Sequence, residues 1–244
     1  MNFSKMWPAK FLISLPATNT WIGYSGVWNM KKSGANYIDS TGSGKTGTPE
    51  GTVTDVTGPT GNAISVNGSS DIDVGYNLAL VIGKTSTFSF WVKTTQVGNN
   101  SFWSAPGITG VREDSTYNEV YFGWLNAAGN LGINSKNGAS TTSNFVINDN
   151  SWRQVTMSRN ETNGAVKFYI NGVLNGSGTS GSGAVTTAFT KFGVRSFPAG
   201  APAYFNGSLD NLRLTPSIQS DARIKAEYKF SVQGNTAYGI SEDL

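Results

Sequence analysis

The chain has no cysteine and no histidine among its 244 residues. The first absence removes disulfides and thiol nucleophiles. The two together remove the common Cys/His zinc sites and any Ser-His-Asp triad. Charge is scarce as well, at 14% Asp, Glu, Lys and Arg against an average near ~25%. The 18 basic residues are scattered, with only Lys31-Lys32 adjacent. A net charge of +3 spread in this way gives no run to track a phosphate backbone, so no nucleic-acid partner is expected. No stretch approaches the ~20 apolar residues of a membrane span, and no membrane insertion is expected. The run Phe11-Leu12-Ile13-Ser14-Leu15 is too short for a signal peptide, and Pro8, Lys10 and Pro16 interrupt it.

What the chain does have is glycine, serine, threonine and asparagine, together 107 residues. It also has 7 Trp, 9 Tyr and 13 Phe, enough apolar area for a core. Such a composition is turn-rich and favours strands. Thr87-Phe88-Ser89-Phe90-Trp91-Val92-Lys93 is the clearest strand, and its nearly unbroken apolar run predicts a central position. Further strands are predicted at 64–66 and 72–74 around an Asn67-Gly68 turn, and at 119–124, 131–133, 152–158, 166–170, 189–194 and 209–214. The 166–170 strand runs into Asn171-Gly172, the strongest short hairpin signal. The stretches 34–61 and 175–183 read as loops, rich in glycine and serine. One helix is predicted near the C-terminus, about ten residues long, capped by Ser220 and carrying Ile224 and Tyr228 at helical spacing. Many short strands, one late helix and no βαβ alternation predict an all-β fold: a two-sheet antiparallel jelly-roll sandwich with one short C-terminal helix. The expected division is an N-terminal arm at 1–20, a jelly-roll domain at 21–232 and a tail at 233–244.

Four segments come in a characteristic order: Phe88 to Lys93, Trp152-Arg153-Gln154-Val155, Phe168-Tyr169-Ile170-Asn171-Gly172, and Phe205-Asn206-Gly207-Ser208-Leu209-Asp210-Asn211-Leu212-Arg213-Leu214. Gly61 to Gly68 upstream and the helix-like 217–228 downstream fit the same order. From about Trp21 to Phe230 the chain resembles the laminin-G-like branch of the concanavalin A-like lectin/glucanase superfamily. The resemblance implies a jelly roll and places Trp91 and Trp152 at core framework positions. It does not imply one activity.

Three chemistries follow for consideration. Glucanases of this superfamily carry Glu-x-Asp-x-Glu or a close variant, and glycosidases need two carboxyl groups ~5–9.5 Å apart. This chain has no such triplet. Glu113-Asp114 would face opposite sides of a strand, and Asp71-x-Asp73 lacks a third acid and reads as an exposed edge or turn, so no catalytic residues are expected. The superfamily often holds a structural calcium ion at a loop edge, for which Asp39 and Asp210 are the candidate ligands. For Asp210 the preferred reading is a carboxylate accepting backbone N–H groups at a strand end. Sugar binding uses aromatic faces with amides and hydroxyls; the candidates are Trp103, Arg112, Tyr117, Asn118, Tyr121 and Trp124 in one stretch, with Arg195 and Tyr204 from another. Tyr121 and Trp124 read also as sheet packing, and Trp103, in a Gly/Ser/Pro setting, is the better ligand contact. The Gly-Lys-Thr at 44–46 lacks the spacing and the helix of a phosphate loop.

The arm carries Phe3, Trp7, Phe11, Ile13 and Leu15 between prolines. It is either a first strand or a strap over the domain's own core, or an arm that docks on a neighbouring subunit, an added strand being one form of such docking. The functional expectation is a non-enzymatic structural or attachment protein at a virion surface, a capsid decoration or tail component of a bacteriophage. Its partners would be other virion proteins or copies of itself, and its lectin-like domain would bind surface glycans. The alternative is a free extracellular or cell-surface carbohydrate-binding lectin. A glycoside hydrolase with unrecognised acids is the third reading.

Overall fold

Every residue from Ser86 to Val92 is buried, on both faces of its strand. Phe88, Phe90 and Val92 enter the main core. The other face is covered as well: Thr87 donates its hydroxyl to the Ser217 carbonyl at 2.7 Å, Ser89 shares a 2.9 Å hydroxyl bond with Thr156, and the Trp91 ring lies 6.0 Å from that of Tyr228 on the C-terminal helix. A computed structural model describes residues 21–233. The arm residues Phe3, Trp7, Phe11, Ile13 and Leu15, and all of the tail but Gln233, lie outside the described residues.

Ser86–Lys93 is central in an eight-stranded antiparallel sheet, as the sequence predicts. The order is Val173–Thr179, Ala165–Ile170, Arg153–Arg159, Ser86–Lys93, Asn206–Thr215, Gly61–Asn67 and Val53–Gly58, with Gly26–Trp28 also pairing to Asn206–Thr215. A seven-stranded sheet faces it, in the order Thr141–Val146, Asn130–Ser135, Val120–Leu125, Gly107–Val111, Lys191–Phe192, Asp71–Asp73 and Thr48–Glu50. Between them Phe88 stacks on Phe192 at 5.4 Å, and Trp28 meets Phe192 edge-on at 5.2 Å. Such pairs contribute roughly 0.5–1.5 kcal/mol beyond their buried area. A bond of 2.8 Å from the Thr141 hydroxyl to the Thr179 carbonyl ties the two sheets along one margin.

The hairpin forms where Asn171-Gly172 predicts it, with both residues at positive φ (51° and 75°) as a type I′ turn requires. The helix spans Asp221–Gln233, with the Ser220 hydroxyl accepting the Arg223 N–H at 3.3 Å.

Three expectations are corrected. The stretch 34–61 is not a loop: it contains strand residues 36–37, 48–50 and 53–58, the last a fully registered partner of Gly61–Asn67. The Gly/Ser stretch after 175 begins as strand Val173–Thr179, since a ladder to Ala165–Ile170 supplies the order that its side chains do not. Trp152 is half-buried just before its strand, not in the core.

Candidate functional site

Strand registers settle which side chains share the outer face of the seven-stranded sheet. Phe122 pairs with Ile133 toward the core; Tyr121 pairs with Asn134 and Trp124 with Gly132 on the opposite face. The segment leading into Gly107–Val111 folds back over that face. Its Phe102 ring sits 5.1 Å from Tyr121 and 6.2 Å from Trp124, and Ala105 joins them in a second, small apolar cluster. Gly132 is obligatory here, because a Cβ would lie 2.3 Å from the Trp124 ring. Tyr121 is 1% exposed and donates its hydroxyl to Glu119 Oε2 at 2.7 Å; burial, with that carboxylate beside it, pushes the phenol pKa up. Arg195 is buried beside them, and burial lowers its pKa. Tyr121, Trp124 and Arg195 therefore offer no face to a ligand. They support the site from beneath.

Trp103 is different. It is 46% exposed and stands edge-on to Phe102 at 5.1 Å. Arg112 connects it to the neighbouring loop in three ways. Its Nη1 donates to the Trp103 carbonyl at 3.3 Å, its Nε donates to Asp114 at 2.6 Å, and its guanidinium carbon lies 4.6 Å from the Phe197 ring centroid. The Asp114 carboxylate holds the Arg112 pKa above its ordinary value. Tyr117 is exposed at the tip of a neighbouring loop, with φ at 53°. Glu113 organises that tip by accepting from the backbone and hydroxyls of Ser115 and Thr116, which hold its carboxyl down at about 2. Asn118 is committed to Thr186, donating to its hydroxyl at 2.7 Å and accepting its N–H at 3.1 Å.

Beyond Phe197 the surface opens into a cavity of about 220 Å³, lined by Asp71, Lys191, Val194, Ser196, Phe197, Pro198, Pro202 and Tyr204. Phe197-Pro198-Ala199-Gly200 makes the outer wall as a tight turn, closed by the Gly200 N–H on the Phe197 carbonyl at 3.1 Å. Proline presets φ in the second position of such a turn. The Phe197 ring folds onto Gly200, where a Cβ would come within 2.4 Å of it. Tyr204 stands opposite Val194 in a two-stranded ribbon, and Gln96 secures it through a 3.2 Å bond to its carbonyl.

The floor is polar. Asp71 pairs in register with Glu50, and Lys191 with Asp73, so all four side chains lie on the outer face. The Lys191 ammonium bonds Glu50 and lies 3.4 Å from Asp71 Oδ2. Burial works against that ammonium, but the two carboxylates outweigh it and raise the Lys191 pKa. Asp71 is 2% exposed and its Oδ1 has no hydrogen-bond partner; burial pushes its carboxyl up. The expectation of an exposed edge for Asp71 is thus corrected.

Of the sequence candidates, Tyr204 lines the cavity, and Arg112 reaches both its Phe197 wall and the Trp103 carbonyl. Asp71, Lys191, Val194, Ser196, Phe197, Pro198 and Pro202 complete the cavity's lining and are not among the binding residues the sequence predicts. The alternation Asp71-Ile72-Asp73 was the available signal, because an inward Ile72 puts both acids on the other face.

The calcium candidates do not fit the ion. Asp39 accepts from the Val27 and Thr41 N–H groups, each at 3.0 Å, and from the Thr41 and Ser43 hydroxyls. Burial opposes its charge, and those bonds hold its pKa down nonetheless. Asp210 is fully buried and accepts from the Thr60 N–H at 2.9 Å and the Thr60 hydroxyl. Burial raises its carboxyl to about 6. Both carboxylates spend their lone pairs on protein donors, whereas calcium needs several free oxygens. Among the described residues no three acidic side chains converge on a point that could hold a metal.

Two antiparallel sheets packed face to face, with a late helix on the back of one, define a jelly-roll sandwich. The chain belongs to the concanavalin A-like lectin/glucanases superfamily, whose laminin-G-type model matches residues 66–225. Among solved structures it is similar to domain 4 of AbnA, a GH43 extracellular arabinanase from Geobacillus stearothermophilus, in complex with arabinotriose. The identity is 24% and the TM-score 0.62, over 83% of this chain and 97% of that one. The binding domain of Paraclostridial Mosquitocidal Protein 1 shares 16% identity at a TM-score of 0.58, over 84% of this chain and 52% of that one. The receptor binding domain of botulinum neurotoxin type G shares 15% at 0.53, over 85% and 51%. The chain thus spans about half the length of the two toxin domains. No curated protein matches it.

Proposed function

We propose that the chain is a carbohydrate-binding lectin module that holds a glycan without cleaving it, acting outside the cell. The observation that carries this reading is the cavity beside Phe197 and Tyr204. Its walls are aromatic and proline surfaces suited to the C–H face of a sugar ring, its floor holds a buried carboxylate, and Arg112 links its Phe197 wall to the backbone of Trp103, whose ring is half-exposed. Polar groups placed among apolar walls are the usual composition of a ligand site. The arabinanase domain, whose structure holds arabinotriose, and the toxin binding domains share the fold and support the same reading.

Among the three expectations the free lectin is preferred. Family and fold carry no mark of a virion. A hydrolase would need two carboxyl groups free to serve as acid and base across a sugar. At this floor Glu50 is paired with Lys191, and Asp73 accepts the Gly75 N–H at 2.7 Å.

The test is a glycan array probed with the full chain, followed by calorimetric titration of the glycans retained. Retention that Tyr204→Ala abolishes, with no reducing ends released on prolonged incubation, is the expected result. Failure of the wild-type chain to retain any glycan, or steady hydrolysis of one, overturns the proposal.

A further inference from the structure

The cavity carries its own selectivity, and this inference rests on the carbohydrate-binding reading above. We infer that the cavity takes one ring of a neutral sugar and excludes sugars bearing a carboxylate, because a buried acid lies in its floor and its lining offers no spare cation.

The charges can be counted at the floor. Glu50, Asp71 and Asp73 share the outer face of neighbouring strands, and Lys191 is the sole cation among the described residues that line the cavity. That ammonium is already engaged by Glu50 and Asp71. Arg112, the nearest cation at the rim, is bonded to Asp114. A uronic or sialic acid entering here brings a carboxylate toward Asp71, with no lysine or arginine among the described lining residues free to meet it. Repulsion between like charges is strong where water is excluded. Pairing buried charges also requires a partner of opposite sign.

A neutral sugar meets no such obstacle. Its hydroxyls donate, and Asp71 keeps one carboxylate oxygen without a partner. Hydrogen bonds to a charged acceptor are the stronger kind. Val194, Phe197, Pro198, Pro202 and Tyr204 supply the apolar walls for the ring's C–H face. A volume of about 220 Å³ lies below the ~300–1,000 Å³ of sites that enclose drug-sized ligands, which suits one ring with the rest of a chain leading toward Trp103.

The test titrates the full wild-type chain with matched pairs: arabino-, galacto- and gluco-oligosaccharides against galacturonic, glucuronic and sialylated counterparts of the same length. The expected result is binding to at least one neutral member and at least a tenfold weaker affinity for its acidic counterpart. Asp71→Asn is expected to narrow that ratio to within about threefold. Glu50→Gln, at an exposed position that keeps the floor's packing, releases Lys191 and is expected to narrow it as well, so the outcome does not hang on one variant folding. An acidic sugar that binds as tightly as its neutral counterpart, or a ratio unmoved by both variants, overturns the inference while leaving sugar binding intact. Absence of binding to every member of the panel removes the carbohydrate reading itself.

Discussion

Arg112 lies with its guanidinium carbon 4.6 Å from the centre of the Phe197 ring, and the same side chain donates to the carbonyl of Trp103. One residue therefore joins two loops that are far apart in sequence and ties the cavity wall to the backbone of the Trp103 loop. Stacking of this kind contributes roughly 0.5–2 kcal/mol. Arg112→Lys keeps the charge but loses the planar fork. It should weaken glycan affinity several-fold by calorimetry while the thermal midpoint hardly moves. An unchanged affinity would detach the Trp103 loop from the site.

Trp103 and Tyr121 make opposite predictions although both were candidates for sugar contact. Trp103→Ala removes an exposed ring and should cost affinity with a stability change within about 0.5 kcal/mol. Tyr121→Phe leaves the Glu119 carboxylate short of a donor inside the small cluster and should cost roughly 1–3 kcal/mol of stability. Urea melts of the two variants separate the cases, and reversed ranks would place Trp103 in the packing.

Arg159 is a stability prediction away from the site. It is fully buried and donates to the carbonyls of Gly83, Gly181 and Gly183 and to the hydroxyls of Ser135 and Ser180. It thereby pins the segment after Val173–Thr179 to both sheets. Arg159→Met keeps much of the volume and leaves these acceptors unpaired, for an expected loss of roughly 3 kcal/mol or more. A loss under about 1 kcal/mol in denaturant titration contradicts that role.

Asp210 makes stability depend on pH. Its carboxyl sits at about 6 in the folded chain, against ~3.9 when unfolded. Below about pH 4 both states hold the proton. Between there and about pH 6 the unfolded chain releases it first, so the folded state binds more protons and this group's contribution to stability falls as pH rises. Asp210→Asn keeps an oxygen for the Thr60 donors and removes that fall. The stability of the variant relative to wild type should therefore climb from pH 4 to 6.5 in urea titrations. A flat difference would show that the buried carboxyl titrates normally.

Legibility in the sequence followed burial. Phe88, Phe90 and Val92 announce a central strand because each side chain is committed to the core. Val53–Gly58 and Val173–Thr179 hold few apolar residues and owe their extended form to a ladder with the adjacent strand, which local composition does not display. Within the site, Trp103, Arg112 and Tyr204 were recognisable by residue type. Tyr121 and Trp124 were equally aromatic, and only the folding back of Phe102 and Ala105 separates packing from contact. Asp71 is buried and meets Lys191, 120 residues away in the chain, a pairing that no local pattern encodes.

The most direct test of sugar binding at this surface is an amide chemical-shift titration of the full chain with the tightest neutral oligosaccharide from the array. The expected shifts fall on Asp71, Lys191, residues 194–204, Trp103 and Arg112, and saturate with a single dissociation constant. Saturating shifts confined to the Thr60–Asp210 edge, or to the back of the eight-stranded sheet beneath the helix, would contradict the account.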